Sequence, residues 1–299
     1  MMTFEEFADT AAQQIRDYLP AEYAASEVTL PRIRKINQSY TGLVVRKSRQ
    51  QFTPAIRLDL FYQDLLNGSE LEDVLQEMGN MIRQISFPSQ YGELCEKLFS
   101  SDRIASRLFV RICGRKGNEE LLGRAPHQTF LDLAVTCHAY LGETDGGKAS
   151  ILISREMLQQ WGMTEEQLFG QAFRNSVSLM PAVIRPIRDI LEENCLPDAD
   201  LPPQDIPLYV ITRRVWGSAA ALFYPGVLEQ LSGIAGGSYF ILPSSVNECI
   251  MVPESIHTDS GSLRKMVREI NRNVVENAEI LSDNIYHYDR ATKELTIVE

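Results

Sequence analysis

The sequence predicts an α+β protein, with mixed sheets, helices and a strand–strand–helix plan that recurs along the chain. Three observations support this class. Apolar residues recur at helical spacing in several segments, short runs rich in Val, Ile and Leu lie between turn residues, and pairs of these runs lead directly into a helical pattern. The plan occurs three times, which predicts repeated strand–strand–helix units.

The N-terminal section, residues 1–100, contains a helix and the first unit. Thr3 and Glu6 have the spacing of a capping box, which predicts a helix over 3–19 that Pro20 ends. Strand-like runs follow, and then one helical stripe of apolar residues begins after Ser69. The predicted segments are strands at 28–36, 40–46 and 54–60 and a helix at 71–85.

The larger section, residues 101–299, contains the second and third units. A turn-rich connector predicts a hairpin in the second unit, and Pro225 is suited to the start of the helix in the third. The predicted segments are strands at 130–141, 148–153, 208–213 and 219–224, and helices at 155–161, from 164 onward and at 225–233. Residues 152–161 resemble residues 222–231. Either the units are duplicated, or both stretches show the apolar spacing of any strand that runs into a helix.

The C-terminal part is predicted to add strands, a helix and a closing hairpin. The strands are 238–242, 248–252, 285–288 and 295–298, and the helix is 262–275 with Leu263, Met266, Val267, Ile270 and Val274 facing inward. A connector rich in Pro and Asp at 194–207 is expected to be exposed, either as a domain boundary or as a long loop. One continuous domain is the alternative to a division near residue 100.

Composition excludes several classes of protein. The 299 residues include 29 basic and 40 acidic ones, a formal net charge of −11, so we do not expect direct nucleic-acid binding. The start of the chain lacks the pattern of a secretory signal, and no apolar run is long enough to span a bilayer. The five cysteines lack CxxC spacing. We therefore expect a cytoplasmic protein with reduced thiols and no membrane association.

The common enzyme motifs are missing. The chain contains no P-loop, no dinucleotide-binding glycine pattern, no HExxH and no GxSxG, and its four histidines lie far apart. We predict neither a cofactor nor a metal site.

The densest group of polar residues lies between Asn118 and His138. Cys137 and His138 point to opposite faces if this stretch is a strand, so they cannot form a catalytic pair. Asp132 with His138 or His127 is a better acid–base candidate. The alternative, which we favour, is that these side chains are half-buried and bonded to nearby backbone.

Three further groups could contact a ligand. The first is a series of arginines at every fourth position, which is interpreted as a solvated face rather than a phosphate site; it consists of Arg103, Arg107, Arg111 and Arg115. The second is a polar turn after a strand. The third is an aromatic run near the C-terminus, and the alternative to ligand binding is that this run packs on the core. Their residues are Ser244, Ser245 and Glu248 in the turn, and Tyr286, His287 and Tyr288 in the run.

Several phrases in order along the chain carry a resemblance to one family. They are 118–122, 126–127, 130–135, 241–245 with Glu248, 281–283 and 286–289. Together they resemble a bacterial family of unknown function, DUF family 5688, and the resemblance covers nearly the whole chain. A more distant similarity, to another uncharacterised bacterial family, follows the strand–helix plan of the last two sections. Neither resemblance implies an activity.

Two hypotheses of function follow. The first is a non-enzymatic binding or adaptor protein with a protein partner, because no nucleophile–base or metal constellation is visible. The second is a hydrolase or transferase with an acid–base site around His127 and Asp132, assisted by Ser244 or Ser245.

Overall fold

The computed structural model describes residues 2–48, 53–84, 104–144, 147–193, 207–213, 218–256 and 259–298. The chain divides into two compact units, Met1–Leu98 and Phe99–Glu299. Both combine helices with antiparallel strands, which confirms the predicted α+β class.

The first unit is organised around one long strand. β3 (Gln38–Arg46) pairs antiparallel with each of the other strands among the described residues of this unit, which also include three α-helices. The other elements are α1 (Phe4–Gln14), β1 (Glu27–Thr29), β2 (Arg32–Lys35), β4 (Ile56–Arg57), α2 (Leu58–Leu66) and α3 (Leu71–Gln84). The predicted capping box forms, since Thr3 accepts from the Glu6 amide and the Glu6 carboxylate accepts from the Thr3 amide.

Apolar side chains from the helices and β3 form the core of the first unit. Phe7, Leu43, Leu58, Leu75 and Met78 are all at most 1% exposed and belong to one cluster. The apolar stripe of α3 therefore faces the core, as its spacing predicts.

The second unit contains two antiparallel sheets among its described residues. In the smaller sheet β7 (Leu133–Thr144) pairs with each of the other three strands, which are β5 (Leu108–Gly114), β6 (His127–Phe130) and β8 (Gly147–Leu152). The larger sheet has the order β14-β13-β11-β12-β10-β9. Its strands are β9 (Ala182–Pro186), β10 (Tyr209–Arg213), β11 (Tyr239–Leu242), β12 (Cys249–Pro253), β13 (Tyr286–Asp289) and β14 (Glu294–Ile297).

The second unit also contains helices. They are α4 (Glu119–Arg124), α5 (Arg155–Trp161), α6 (Glu165–Leu179), α7 (Ile187–Glu193), α8 (Val227–Ala235) and α9 (Ser260–Asn273). α6 is bonded to β5, because the Val110 amide donates to Ser176 Oγ at 3.0 Å and Asn175 Nδ2 donates to the Leu108 carbonyl at 2.9 Å. β5 is buried along almost its whole length, although it is an edge strand of the smaller sheet. None of the described helices combines the length and the apolar composition needed to cross a membrane.

Several predicted elements are confirmed. The hairpin of β7 and β8, the helix at 155–161 ended by Gly162 in the left-handed conformation, and the helix capped by Thr164 and Gln167 all form. The strands around 238–242 and 248–252 and the hairpin near the C-terminus also form.

Other predictions are wrong. In the segment 54–60 only Ile56 and Arg57 are extended, because α2 begins at Leu58. The strand expected at 219–224 is a buried 3₁₀ helix, Ala219–Phe223, so the third strand–strand–helix unit lacks its second strand. Phe130 ends β6, so the strand predicted from 130 begins at Leu133. Apolar runs of this length fit several buried conformations, and periodicity does not distinguish them.

The prediction that the arginine series forms a solvated face is also wrong for Arg111. That residue lies on β5 between the buried Phe109 and Cys113, and burial lowers the pKa of its guanidinium. Arg103, Ile85 and the connector residues 194–206 lie outside the described residues. β9 precedes that connector and β10 follows it, and the two strands pair with each other. The strands on either side of the connector therefore belong to one sheet.

Candidate functional site

Asp132 occupies the turn between β6 and β7. Leu131 precedes it with φ of 56°, a left-handed conformation that is uncommon for a residue with a side chain. The amide of Arg115, just after β5, donates to the Asp132 carbonyl at 2.8 Å. The turn is thus fastened to the end of the neighbouring strand.

The Asp132 carboxylate collects three hydrogen bonds from one distant segment of the chain. Ser282 Oγ and Asn284 Nδ2 donate to Oδ2 at 2.6 and 3.0 Å, and the Tyr286 hydroxyl donates to Oδ1 at 2.8 Å. We call Asp132, Ser282, Asn284 and Tyr286 the Asp132 cluster. Burial is the main cause that raises the pKa of Tyr286, and the negative charge of Asp132 raises it further. The phenol therefore keeps its proton and remains a hydrogen-bond donor.

The segment that supplies these donors is held from two other sides. Asn271 of α9 donates from Nδ2 to the Ser282 carbonyl at 3.0 Å and to Asp283 Oδ1 at 2.9 Å. At Gly114, a Cβ would lie 2.6 Å from the Leu281 carbonyl oxygen, so the backbones of β5 and this segment are in close contact. The Asp132 cluster therefore links the β6–β7 turn, the start of β13 and α9.

This arrangement leaves the carboxylate little room for acid–base chemistry. An ionised carboxylate has about four acceptor positions, and the cluster fills three of them. A general base must also reach the proton that it removes. The geometry of Asp132 is that of a structural acceptor.

His127 lies at the far end of the same hairpin. It pairs with Thr136 on β7, and three strand steps of about 3.3 Å separate it from the turn, a distance of about 10 Å. Its Nδ1 is 3.1 Å from the Ala125 carbonyl oxygen. The fold therefore does not bring His127 and Asp132 together.

Asn118 is a buried turn residue. It is 2% exposed, and its Nδ2 donates to the Gly114 carbonyl at 2.9 Å. Its own carbonyl accepts from the Leu122 amide in the first turn of α4. These bonds close the connection between β5 and α4.

The polar turn after β11 is bonded both within itself and to other segments, since the Val246 amide donates to the Glu279 carbonyl at 2.8 Å and Asn247 Nδ2 donates to Glu279 Oε1 at 3.1 Å. The Ser245 amide donates to the Glu248 carbonyl at 3.1 Å, and Ser245 Oγ accepts from the Asn247 amide at 3.1 Å. The amide of Ser244 donates to the Leu242 carbonyl. Burial, followed by the negative charge of Glu279, raises the pKa of Glu248. Glu248 is the titratable group of this turn, and Ser245 uses its hydroxyl to shape it.

The aromatic run near the C-terminus alternates across β13. Tyr286 and Tyr288 are buried, and Tyr288 stacks on Tyr239 with ring centroids 5.1 Å apart. His287 faces the other side against Phe240, also at 5.1 Å. The two tyrosines thus belong to the core and are not available to stack on a ligand.

A buried basic group was not predicted as a unit. Arg213 is 2% exposed, donates from Nη1 to the Val110 carbonyl at 3.0 Å, and lies 5.2 Å from the Phe109 ring. His138 contacts the same ring, at 5.8 Å between centroids. Burial is the main cause that holds the pKa of His138 well below its usual value, and the positive charges of Arg111 and Arg213 lower it further. The alternation along β5 indicated that Arg111 shares a face with Phe109. Arg213 could not be predicted to join them, because it belongs to the other sheet.

The outer surface of α9 carries two rows of side chains that differ in chemistry. Leu263, Val267 and Asn271 are buried beneath the helix. On one flank of this buried row are exposed apolar side chains, and on the other flank are basic side chains. The apolar row is Met266, Ile270 and Val274, the last of which is the C-cap just after α9, and the basic row is Arg264, Arg268 and Arg272 with Lys265 beside it.

The exposed apolar row corrects the prediction for this helix. Met266, Ile270 and Val274 were expected to face inward, but Leu263 and Val267 alone supply the apolar buried face. The basic row was missed, although its four-residue spacing is visible in the sequence.

No group of three or more His, Cys, Asp or Glu side chains within the described ranges is arranged to hold a metal ion. The model of a family described as a family of unknown function, DUF5688, matches residues 4–290 of the chain. No curated protein and no solved structure matches this chain.

Proposed function

Because the chain belongs to the DUF5688 family of unknown function, its role must be inferred from its own geometry, and we propose that it is a cytoplasmic, non-enzymatic binding or adaptor protein. The ligand is a protein partner, and α9 carries the contact surface.

The observation that supports this proposal is the exposed apolar row of α9. Met266, Ile270 and Val274 are 42%, 41% and 75% exposed and recur at every fourth position. Single exposed apolar residues are ordinary, but a row along one helix is typical of a surface that packs into the groove of a partner. The row is about 12 Å long at 1.5 Å per residue, which corresponds to two turns of contact.

The support beneath α9 suits this role. Asn271 ties the helix to the segment that the Asp132 cluster holds, and Leu263 and Val267 pack beneath it. A contact surface on a rigid element loses little conformational entropy when it binds.

The competing hypothesis is a hydrolase or transferase that uses His127 and Asp132. It requires both side chains to act on one substrate, but three strand steps, about 10 Å, separate His127 from the turn that holds Asp132. Three donors already occupy the Asp132 carboxylate. We therefore favour the binding function.

Affinity capture tests the proposal. The tagged full chain is incubated in lysate of the source cell, crosslinked lightly and purified beside two variants. Met266→Ser/Ile270→Ser removes part of the row, and Leu60→Ser/Leu179→Ser is the matched control, because those leucines are 56% and 59% exposed elsewhere. We expect a protein retained by the wild type and the control but lost by the α9 variant.

Two results would contradict the proposal. One is that the wild type retains no protein above background at near-native abundance. The other is that the α9 variant retains the same proteins in the same yield as the control. Cell fractionation of the native protein checks the location, since recovery outside the cytoplasmic fraction contradicts that part.

A further inference from the structure

The basic row of α9 differs from the rest of its half of the chain. Residues 151–299 contain 12 basic and 20 acidic residues, a net charge of −8. α9 alone holds four of those basic residues, Arg264, Lys265, Arg268 and Arg272, and its only acidic residue is Glu269. A concentration of positive charge on one helix of an acidic protein attracts acidic ligands to that surface.

The arginines are spaced regularly. Arg264, Arg268 and Arg272 are four residues apart, so successive arginines are separated by about 6 Å along the helix axis. The whole row is about 12 Å long. Arg268, Arg272 and Lys265 are exposed, whereas Arg264 is half-buried. The row presents its charges in a line.

The fold fixes one end of this row and leaves the other end available. Arg264 donates from Nη2 to the Val298 carbonyl at 2.7 Å, which holds its side chain against the C-terminal segment. Lys265 lies 3.9 Å from Glu269, a separation that gives a weak exposed ion pair. Within the part of the chain that the structure describes, Arg268 and Arg272 make neither a hydrogen bond nor an ion pair through their side chains.

An open groove follows the same residues. Its volume is about 660 Å³, and its lining includes all four basic side chains of α9 together with the start of the helix at Ser260 and Gly261. Asp259 and Glu269 also line the groove, and Asp259 Oδ2 already accepts from the amide and the hydroxyl of Ser262 at 2.8 and 3.0 Å. Because four basic side chains face these two acidic ones, the lining of the groove has a net positive charge.

The spacing of the row selects among anionic ligands. Carboxylates four residues apart on a helix are about 6 Å apart, and those on alternate residues of an extended strand are about 6.6 Å apart. Both distances match the arginines. A single phosphate would contact only part of a row about 12 Å long. A polyanion longer than the row would be repelled where it extends over the remaining, acidic surface of this protein.

We propose that the protein partner docks a short acidic segment, with Asp or Glu carboxylates about 6 Å apart, along Arg264, Arg268 and Arg272 of α9. This inference rests on the proposed binding function and names the chemistry of the partner. The apolar row and the basic row lie on opposite flanks of the buried row, so a partner that covers the outer side of α9 contacts both.

Fluorescence anisotropy with labelled peptides tests the inference on the full chain. The probes are peptides of about twelve residues, one with Glu at alternate positions of an extended Thr-rich sequence and one with Glu at every fourth position of a helix-forming sequence. A matching peptide with Gln in place of Glu and a single-stranded DNA oligonucleotide of equal charge serve as comparisons. We expect at least one Glu peptide to bind, and binding to weaken by about tenfold when NaCl rises from about 0.05 to 0.5 M.

The variant Arg268→Glu/Arg272→Glu should lower the affinity for the Glu peptide by about tenfold or more. Lys116→Glu/Lys148→Glu is the matched control, because it changes the net charge equally at exposed positions outside α9. It should change the affinity by about twofold or less. Arg268→Gln/Arg272→Gln replaces the charge-reversal variant if circular dichroism shows that the latter is unfolded.

Three results would overturn the inference: no Glu peptide binds, both pairs of charge reversals weaken binding equally, or the oligonucleotide binds more tightly than either peptide. The apolar variant separates this failure from failure of the proposed function. If Met266→Ser/Ile270→Ser still loses its captured protein while no Glu peptide binds, the binding function stands and the acidic segment is wrong.

Discussion

The carboxylate of Asp132 accepts a hydrogen bond of 2.8 Å from the phenol of Tyr286, which lies 154 residues further along the chain. Ser282 and Asn284 donate to the other carboxylate oxygen. One acidic side chain thus joins the turn of the smaller sheet to the segment that enters the larger sheet. The strongest catalytic candidate of the sequence is, in the structure, a connection within the second unit.

Replacing Asp132 should therefore lower stability. Asp132→Ala leaves three donors without their acceptor, and we expect a loss of about 2 to 3 kcal/mol in the free energy of unfolding. Tyr286→Phe removes one of these bonds and should cost about 1 kcal/mol. Urea unfolding measures both, with Glu294→Gln, an exposed carboxylate, as the control within about 0.5 kcal/mol. An Asp132→Ala chain as stable as the control would contradict the structural role.

Gly114 offers an independent test of the same connection. A Cβ at this position would lie 2.6 Å from the Leu281 carbonyl oxygen, and a backbone atom cannot yield as a flexible side chain can. Gly114→Ala should therefore cost about 1 to 3 kcal/mol by thermal or urea unfolding. Gly233→Ala is the control, because a Cβ there meets nothing within 4 Å and α8 gains helix propensity. Equal stability of the two variants would show that the segment at Leu281 moves freely.

Signals within a few residues of each other predicted local structure well. The capping pairs Thr3 with Glu6 and Thr164 with Gln167 form as their spacing predicts, and Gly162 ends its helix. Each of these depends on hydrogen bonds between residues at most four positions apart, so tertiary structure had little influence on them.

Features that depend on distant residues could not be predicted. The role of Asp132 depends on Ser282, Asn284 and Tyr286, and nothing near Asp132 in sequence indicates them. The apolar run at 219–223 is buried as a 3₁₀ helix, because burial alone does not require a strand. On α9, the buried side was misjudged because Asn271 faces inward to bond the Ser282 carbonyl.

The buried thiols give a prediction of reactivity. Burial raises the pKa of Cys113 and of Cys249 to about 12, and it also raises the pKa of Cys137. Since the thiolate is the reactive form, these three should resist a thiol reagent at pH 8 until the protein unfolds. A Cys95→Ser/Cys195→Ser chain isolates them. Rapid labelling of the folded chain, at a rate close to that in denaturant, would contradict the burial.

His138 should make the fold sensitive to mild acid. Burial and the charges of Arg111 and Arg213 place the pKa of its folded form well below the value of 6.5 for an unperturbed histidine. Well above pH 6.5 the ring is neutral in both states and its contribution to stability is intact. As the pH falls below 6.5, the unfolded chain takes up a proton that the folded chain refuses, so stability decreases by up to about 1.4 kcal/mol per pH unit.

Carboxylates also titrate in acid, so the measurement compares two chains. Urea unfolding of the wild type and of His138→Gln between pH 7.5 and 5 gives the difference in stability at each pH. His138→Gln has its own cost, because the ring packs on Phe109 and its Nε2 lies 3.2 Å from Thr136 Oγ1. That cost is constant with pH, whereas the proton-linked part is not. The variant should therefore lose less stability than the wild type as the pH falls below 6.5, and a difference that does not change with pH would contradict a neutral, buried His138.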